Sequence, residues 1–187
     1  MKKISIALSF SLAVIMLMLG IGIGYAFTPD YQSTMFSKET MDLGEADFFL
    51  DRRYLDAMIS HHQGAMVLAE QALEKSQREE IKLLAKEILA NEPIAIAELY
   101  AQKKDWYRDG RPAPRPTRVN LGASDNNFDL RFLNALIAHH EAGLKMTAEI
   151  KTKSSRAAVL DNADAVTDFL STSLENLKTW RQDWYKL

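Results

Sequence analysis

The stretch Leu55-Asp-Ala-Met-Ile-Ser-His-His-Gln-Gly-Ala-Met66 holds two of the chain's four histidines, and the other two form a second His-His at 139–140. Shifting the sequence by 78 positions lays one pair on the other. The register holds without a gap from Leu43–Tyr107 to Leu121–Tyr185, and 18 of these 65 positions are identical. The identities include Leu43/Leu121, Gly44/Gly122, Asp51/Asp129, Arg53/Arg131 and both histidines. They continue through Lys75/Lys153, Ser76/Ser154 and Arg78/Arg156, and they close on Asp105-Trp-Tyr107 against Asp183-Trp-Tyr185. A gapless match of this length marks an internal duplication, with repeat one at 43–107 and repeat two at 121–185.

Each repeat has helical periodicity. Leu55, Met58, Ile59, His62, Met66 and Leu73 follow i, i+3, i+4 steps, as do Ile81, Leu84, Ala85, Ile88 and Leu99. The break lies at Glu74-Lys-Ser-Gln77 in the first copy, where Ser76 is placed to cap the next helix, and at Thr152-Lys-Ser-Ser155 in the second. A repeat is therefore a helix, a tight turn and an antiparallel helix. Pro93 predicts a kink or local break in the returning helix. Residues 108–120 carry Pro112, Pro114 and Pro116, which predicts an extended crossover. Two hairpins with one apolar face each bury those faces best against each other, so 43–187 reads as an all-α four-helix bundle. The aromatic pairs Trp106-Tyr107 and Trp184-Tyr185, at the ends of the returning helices, are expected to close one end of it.

Ahead of the bundle, Lys2-Lys3 precede an apolar run from Ile4 to Ile23 whose only polar side chains are Ser5, Ser9 and Ser11. The segment 1–26 reads as a hydrophobic helix that is either a signal peptide, cut near Gly24-Tyr25-Ala26, or an uncleaved signal-anchor. The length of the run favours the anchor, with residues 4–23 in the membrane. In both cases the remainder is expected to be exported, periplasmic or on the outer face of the inner membrane. Residues 27–42 read as a linker. Net charge is −2 from 23 basic and 25 acidic residues; without Lys2 and Lys3 it is −4, which argues against nucleic acid as a partner. The absence of cysteine excludes disulfides, thiolate metal sites and cysteine nucleophiles, leaving methionine as the only soft ligand. No Ser-His-Asp arrangement or phosphate-cradling glycine loop stands out, so an enzyme is the weakest reading.

On a helical wheel with Met58 at the origin, His62 falls at about 40° and His61 at about 300°, so the pair straddles the inward stripe. Asp51, at about 20°, shares the stripe. Small residues one turn on (Gly64, Ala65, Ala142, Gly143) leave room beside the rings. Adjacent helix positions diverge by about 100°, so His61 and His62 cannot chelate one ion together. Met58 to His61 is i+3, and Met58 to His62 and His62 to Met66 are i+4. A thioether and an imidazole within one turn suit Cu(I). Zinc needs a further His or a carboxylate, and a di-iron site needs Glu-x-x-His, whereas the triplets here begin with Met58 and Leu136. The competing reading makes the histidines buried neutral groups hydrogen-bonded across helices. Asp51 and Asp129 read as orienting groups for the imidazoles or as helix-start residues.

Asp51-x-x-Tyr-x-x-x-Met-Ile-x-His-His-x-x-Ala65, followed by a helix ending in Trp106, resembles the domain-of-unknown-function family 305, which includes CopM-like periplasmic copper-binding proteins. Asp129-Leu-Arg-Phe-Leu-Asn-Ala-Leu-Ile-Ala-His-His140 is similar to the same motif in degraded form. The resemblance implies a ferritin-like four-helix bundle, export and, for some members, copper binding or copper resistance through Met and His. By position it implicates Met58, His61, His62 and Met66 in the first copy and His139 and His140 in the second. Leu136 and Leu144 stand in the second copy where the first has Met58 and Met66. Glu92 and Ala95 occupy the returning helix where family members often have Gln and Glu. Beyond residue 27 there are five methionines, at 35, 41, 58, 66 and 146. The expectation is an exported, non-catalytic copper protein with Cu(I) favoured over Cu(II). The alternative is a structural or interaction bundle of the envelope with core histidines and no metal.

Overall fold

The structure, a computed structural model, describes residues 42–187. The expected signal or anchor at 1–26, the linker up to residue 41, and Met35 and Met41 lie outside the described residues. Four helices follow in order: α1 Leu50–Lys75, α2 Glu79–Tyr107, α3 Phe128–Lys153 and α4 Ala157–Tyr185. They form the all-α four-helix bundle that the periodicity predicts. α1 packs on α2, α3 packs on α4, and the two hairpins meet along α1 and α3. Among the described residues no helix is long and apolar enough to cross a membrane.

Local signals explain most boundaries. The Ser76 N–H still bonds the Ala72 carbonyl at 2.9 Å while its own backbone is extended, which ends α1. The N-cap of α2 is Arg78. Ser76 therefore shapes the turn and does not cap the helix: its hydroxyl accepts the Arg78 N–H at 3.1 Å, and Ser154 does the same for Arg156 at 3.1 Å. α2 runs unbroken through Pro93, so of the expected kink or break the break does not occur. Pro93 is exposed, so the Leu89 carbonyl deprived of its N–H partner lies on the side that water can reach.

The crossover contains no helix between Tyr107 and Phe128, and it is pinned along α1 and α2. Lys103, 1% exposed, donates from Nζ to Asp56 Oδ1 at 2.5 Å and to the Arg111 carbonyl at 2.9 Å. The Ser60 hydroxyl donates to the Pro114 carbonyl at 2.5 Å. The Gln71 amide bonds the Val119 carbonyl at 2.8 Å and the Leu121 N–H at 2.9 Å. A buried ammonium needs such partners, because one left unpaired would be strongly destabilising.

The two repeats are related by a pseudo-two-fold axis, and the identical pairs are largely the residues that bridge it. Lys75, at the end of α1, donates to the Gly122 carbonyl at 3.0 Å, and Lys153, at the end of α3, donates to the Gly44 carbonyl at 2.6 Å. α1 and α3 are thus antiparallel. Gly44 and Gly122 have φ of 69° and 85°, a conformation that glycine adopts without strain. Arg53 and Arg131 each donate from Nε to the carbonyl ten residues back, Leu43 and Leu121, at 2.6 Å, closing the loop in front of the helix. Asp51 accepts from Ser154 Oγ at 2.6 Å and Arg156 Nε at 2.8 Å. In the mirrored contact, Arg78 Nε stands 3.9 Å from Asp129.

The same arginines lie over tryptophans of the opposite repeat, Arg156 4.4 Å from the Trp106 ring and Arg78 4.0 Å from the Trp184 ring. Because the repeats run antiparallel, the two aromatic pairs cover opposite ends of the bundle and not one end, as the sequence reading had it. Each latch combines a partly exposed ion pair with a cation–π contact, together about 1 kcal/mol. Arg156→Ala and Arg78→Ala are each expected to lower the melting temperature by about 2–4 °C. Because the latches lie at opposite ends, the double variant should show the sum. Differential scanning calorimetry of the three variants measures this.

Candidate metal centre

His61 and His139 are matched by the duplication, and the structure brings them face to face at the pseudo-two-fold axis. Their ring centroids are 3.9 Å apart with planes 23° from parallel. Both are buried, at 3% and 0% exposure. His61 Nε2 lies 3.2 Å from the His139 carbonyl oxygen, so this nitrogen carries the proton and donates. The close fit depends on Gly143. A Cβ there would lie 2.6 Å from His61 Nε2 and 2.5 Å from Leu170 Cδ1.

His62 and His140 turn away from this pair toward the returning helices. The centroid separations are 6.0 Å for His61–His62 and 6.1 Å for His139–His140, so four imidazoles run in a row across the bundle. His62 Nδ1 forms a short hydrogen bond with Glu92 Oε2 on α2. A carboxylate only accepts, so Nδ1 carries the proton; in the neutral ring Nε2 then keeps its lone pair, the arrangement common in metal-ligating histidines. His140 Nε2 lies 2.9 Å from the Ser173 hydroxyl on α4, and its buried Nδ1 has no hydrogen-bond partner among the described residues.

All four rings line one cavity of about 230 Å³ between α2 and α4. Its two walls differ although they are built from matched positions. α2 contributes Asn91 and Glu92, where α4 contributes Phe169 and Leu170. At these two positions the first repeat is polar and the second apolar, while the rest of the lining is apolar on both helices apart from Ser173 on α4. Among the described residues no three His, Asp or Glu side chains converge tightly enough to hold a metal ion as they stand.

The methionines singled out by spacing lie elsewhere. Met58 is fully buried in the apolar cluster with Leu55, Ile59, Met146 and Ile150, and Met66 is half-buried; neither lines the cavity. Asp51 and Asp129 are in the first turns of α1 and α3, as helix-start residues, and their charged partners are Arg156 and Arg78 in the opposite repeat's turn, not the imidazoles. Glu92 is the site residue that spacing along one helix misses. An antiparallel hairpin folded at Gln77 sets positions equidistant from the turn opposite each other, and 62 and 92 are both 15 residues from it. That pairing was available from the turn position alone.

The model of the family described as "Domain of unknown function (DUF305)" matches residues 51–127. Solved structures of CopM match at 29–31% identity over 72% of this chain and nearly all of theirs. The apo form gives a TM-score of 0.64 at 30% identity, with 98% of that chain covered. The Cu(II)-bound form gives 0.63 at 31% identity and 98%. The silver-bound co-crystal form gives 0.65 at 30% identity and 97%. The chain belongs to the DUF305 family. No curated protein sequence matches it significantly.

Burial governs the charge state of this DUF305 protein's site. It lowers His61 from 6.5 to about 3, His140 to about 4, and His139 well below the ordinary value, with neighbouring imidazoles adding to the effect at His61 and His139. Unfolded, these rings take up protons near pH 6.5; folded, they stay neutral until far lower pH. The unfolded state therefore binds more protons between about pH 6.5 and 4, and stability falls as pH drops through that window. The slope is up to about 1.4 kcal/mol per pH unit for each ring. Asp47, Asp109 and Asp125 are held below 3.8 mainly by hydrogen bonds from Arg53, Arg111 and Arg131, so their stabilisation is lost only at lower pH. Urea denaturation of metal-free protein from pH 7 to 4.5 is expected to give a falling midpoint, with His140→Asn reducing the slope; a flat profile would contradict buried neutral imidazoles.

Proposed function

We propose that this protein binds copper, without catalysis, in the cavity between α2 and α4, with His62 and His140, the two rings turned toward the returning helices, as the donors. His61 and His139 form the buried pair that positions them. The observation that carries the reading is the His62–Glu92 hydrogen bond, which leaves a lone pair on an imidazole at the cavity wall. Membership in the DUF305 family supports it, since CopM structures are described with Cu(I), Cu(II) and silver bound. An ion here gains further ligands from side-chain rotation or solvent. Imidazole accepts either oxidation state. The preference for Cu(I) rests on Met58 and Met66, which lie away from the cavity; the nitrogen and carboxylate groups that line it favour Cu(II). Lys2-Lys3 and the apolar run 4–23 support export, with the bundle released or tethered outside the cytoplasm.

His61 and His139 fit the second reading better. Stacked and buried on the axis, they act as core polar groups of a structural bundle. The test separates the two roles. Buffered titration with Cu(II) and Cu(I), followed by thermal melting, is expected to stabilise the protein by about 2.7 kcal/mol at a hundredfold excess over Kd. In the His62→Ala/His140→Ala variant the metal-dependent part is expected to vanish, whatever the metal-free melting temperature becomes on truncating the buried His140. In His61→Ala/His139→Ala the metal-free protein is expected to melt much lower. Equal copper uptake by wild type and His62→Ala/His140→Ala would overturn the assignment and leave a structural or interaction bundle without this metal site. Since imidazole binds metal only when neutral, and burial holds His140 neutral down to about pH 4, uptake at this ring should persist well below the ordinary histidine range.

A further inference from the structure

α2 and α4 are the two neighbouring helices that do not pack closely, and a groove runs between them well past the histidines. Three concavities follow one another along it. The first, over the imidazoles, shares Ile88, Asn91, Phe169 and Ser173 with the second; the second shares Leu84, Glu87 and Asn176 with the third, which ends at Trp180. The rims combine two features that rarely occur together by accident. Leu83, Ile94 and Phe169 are large apolar side chains that are 57%, 61% and 59% exposed on the two helices that flank the groove. Around Ile94 and Phe169 the charge is of one sign, whereas Leu83 is flanked by Lys82 and Lys86. From Glu87 to Gln102, α2 carries Glu87, Glu92 and Glu98 and no Lys or Arg. From Ala157 to Leu177, α4 carries Asp161, Asp164, Asp168 and Glu175 and again no base.

The spacing places these residues in register with the groove. Leu83, Glu87, Ile94 and Glu98 lie on one α2 stripe, at steps of four, seven and four. Asp161, Ala165, Asp168, Thr172 and Glu175 lie on one α4 stripe, at steps of four and three. Glu92 faces His62, and Asp164 is paired with Lys151 at 2.6 Å. Glu87, Glu98, Asp161 and Asp168 are exposed and make no ion pair among the described residues.

We propose that the α2–α4 groove is a docking surface for a basic, amphipathic polypeptide segment of a partner protein. Its apolar face lies over Leu83, Ile94 and Phe169, and its Lys and Arg side chains meet the acidic rims. Charge decides the occupant. A second copy of this chain would set two acidic faces against each other, and an anionic membrane would be repelled in the same way. A bare cation is attracted by the rims but gains nothing from three exposed apolar side chains. Only a ligand that is both cationic and apolar satisfies both features. The docked segment covers the mouth of the histidine cavity. The surface follows from the rims and not from any bound metal; that it serves exchange of copper with the partner rests on the function proposed above.

The test uses metal-free protein held in chelator, so that its outcome bears on docking alone while the copper titration bears on the cavity alone. The probes are a synthetic helical peptide with leucine on one face and lysine on the other, the same peptide with glutamate for lysine, and vesicles with anionic headgroups. Tryptophan fluorescence, to which Trp180 at the end of the groove contributes, gives affinity, and NMR amide shifts give location. The lysine peptide is expected to shift amides of α2 and α4 around Glu87 and Phe169 and to weaken with salt. It is expected to bind Glu87→Lys/Asp168→Lys about tenfold or more less tightly, and Phe169→Ser should also weaken it at unchanged charge. Equal binding of the glutamate peptide, shifts centred on another face, indifference to the charge reversal, or preferential binding of the vesicles would each overturn the proposal. So would sedimentation showing this face buried between two copies.

Discussion

A protonated imidazole is strongly disfavoured in a protein interior, so two stacked imidazoles buried at a helix crossing must both be neutral. This constraint sets the centre of the structure. His61 and His139 stack at 3.9 Å where α1 meets α3, and the fit requires a residue without a side chain at 143. Once these two rings occupy the axis, their sequence neighbours cannot join them, because adjacent positions on a helix point in different directions. His62 and His140 are thereby delivered to the gap between α2 and α4, where a carboxylate and a hydroxyl receive them. The buried pair organises the packing, and the outer pair is left with chemistry to do.

The duplication then explains what is shared and what differs. Matched residues that reach across the axis are identical: lysine to glycine carbonyl, aspartate to the opposite turn, arginine over tryptophan. A self-complementary interface needs the same residues twice, since each one serves as donor on one side and is mirrored on the other. The cavity walls carry no such requirement. There Asn91 and Glu92 face Phe169 and Leu170, and the two outer histidines sit in unequal surroundings. The symmetric part of the molecule is its scaffold, and the asymmetric part is its candidate site.

Much of this was legible in the sequence, for reasons tied to particular residues. The 78-residue register, the helical spacing from Leu55 to Leu73 and the three prolines of the crossover specify two hairpins and one long connection. The wheel places both histidines at the margins of the inward stripe, and the structure sends one to the axis and the other to the gap. Three features were not legible. Which end each tryptophan covers depends on the antiparallel relation of the repeats, a tertiary fact that spacing within one repeat does not contain. Met58 satisfies the i+4 rule for a metal ligand and the same rule for core packing, and burial in the apolar cluster decided between them. Asp51 shares the inward stripe on the wheel but lies nearly three turns before His61, at the end of the bundle, where it meets Arg156.

The central claim is a division of labour among four imidazoles: a buried pair that holds the crossing and an outer pair that binds the ion. Long-range ¹H–¹⁵N NMR of the histidine rings reads it directly, with silver as a diamagnetic ion in place of copper. The account predicts that His62 Nε2 and a ring nitrogen of His140 shift when silver is added, while His61 and His139 keep their metal-free positions and tautomers. A shift at the buried pair with none at the outer pair, or silver binding that leaves all four rings unchanged, would contradict it.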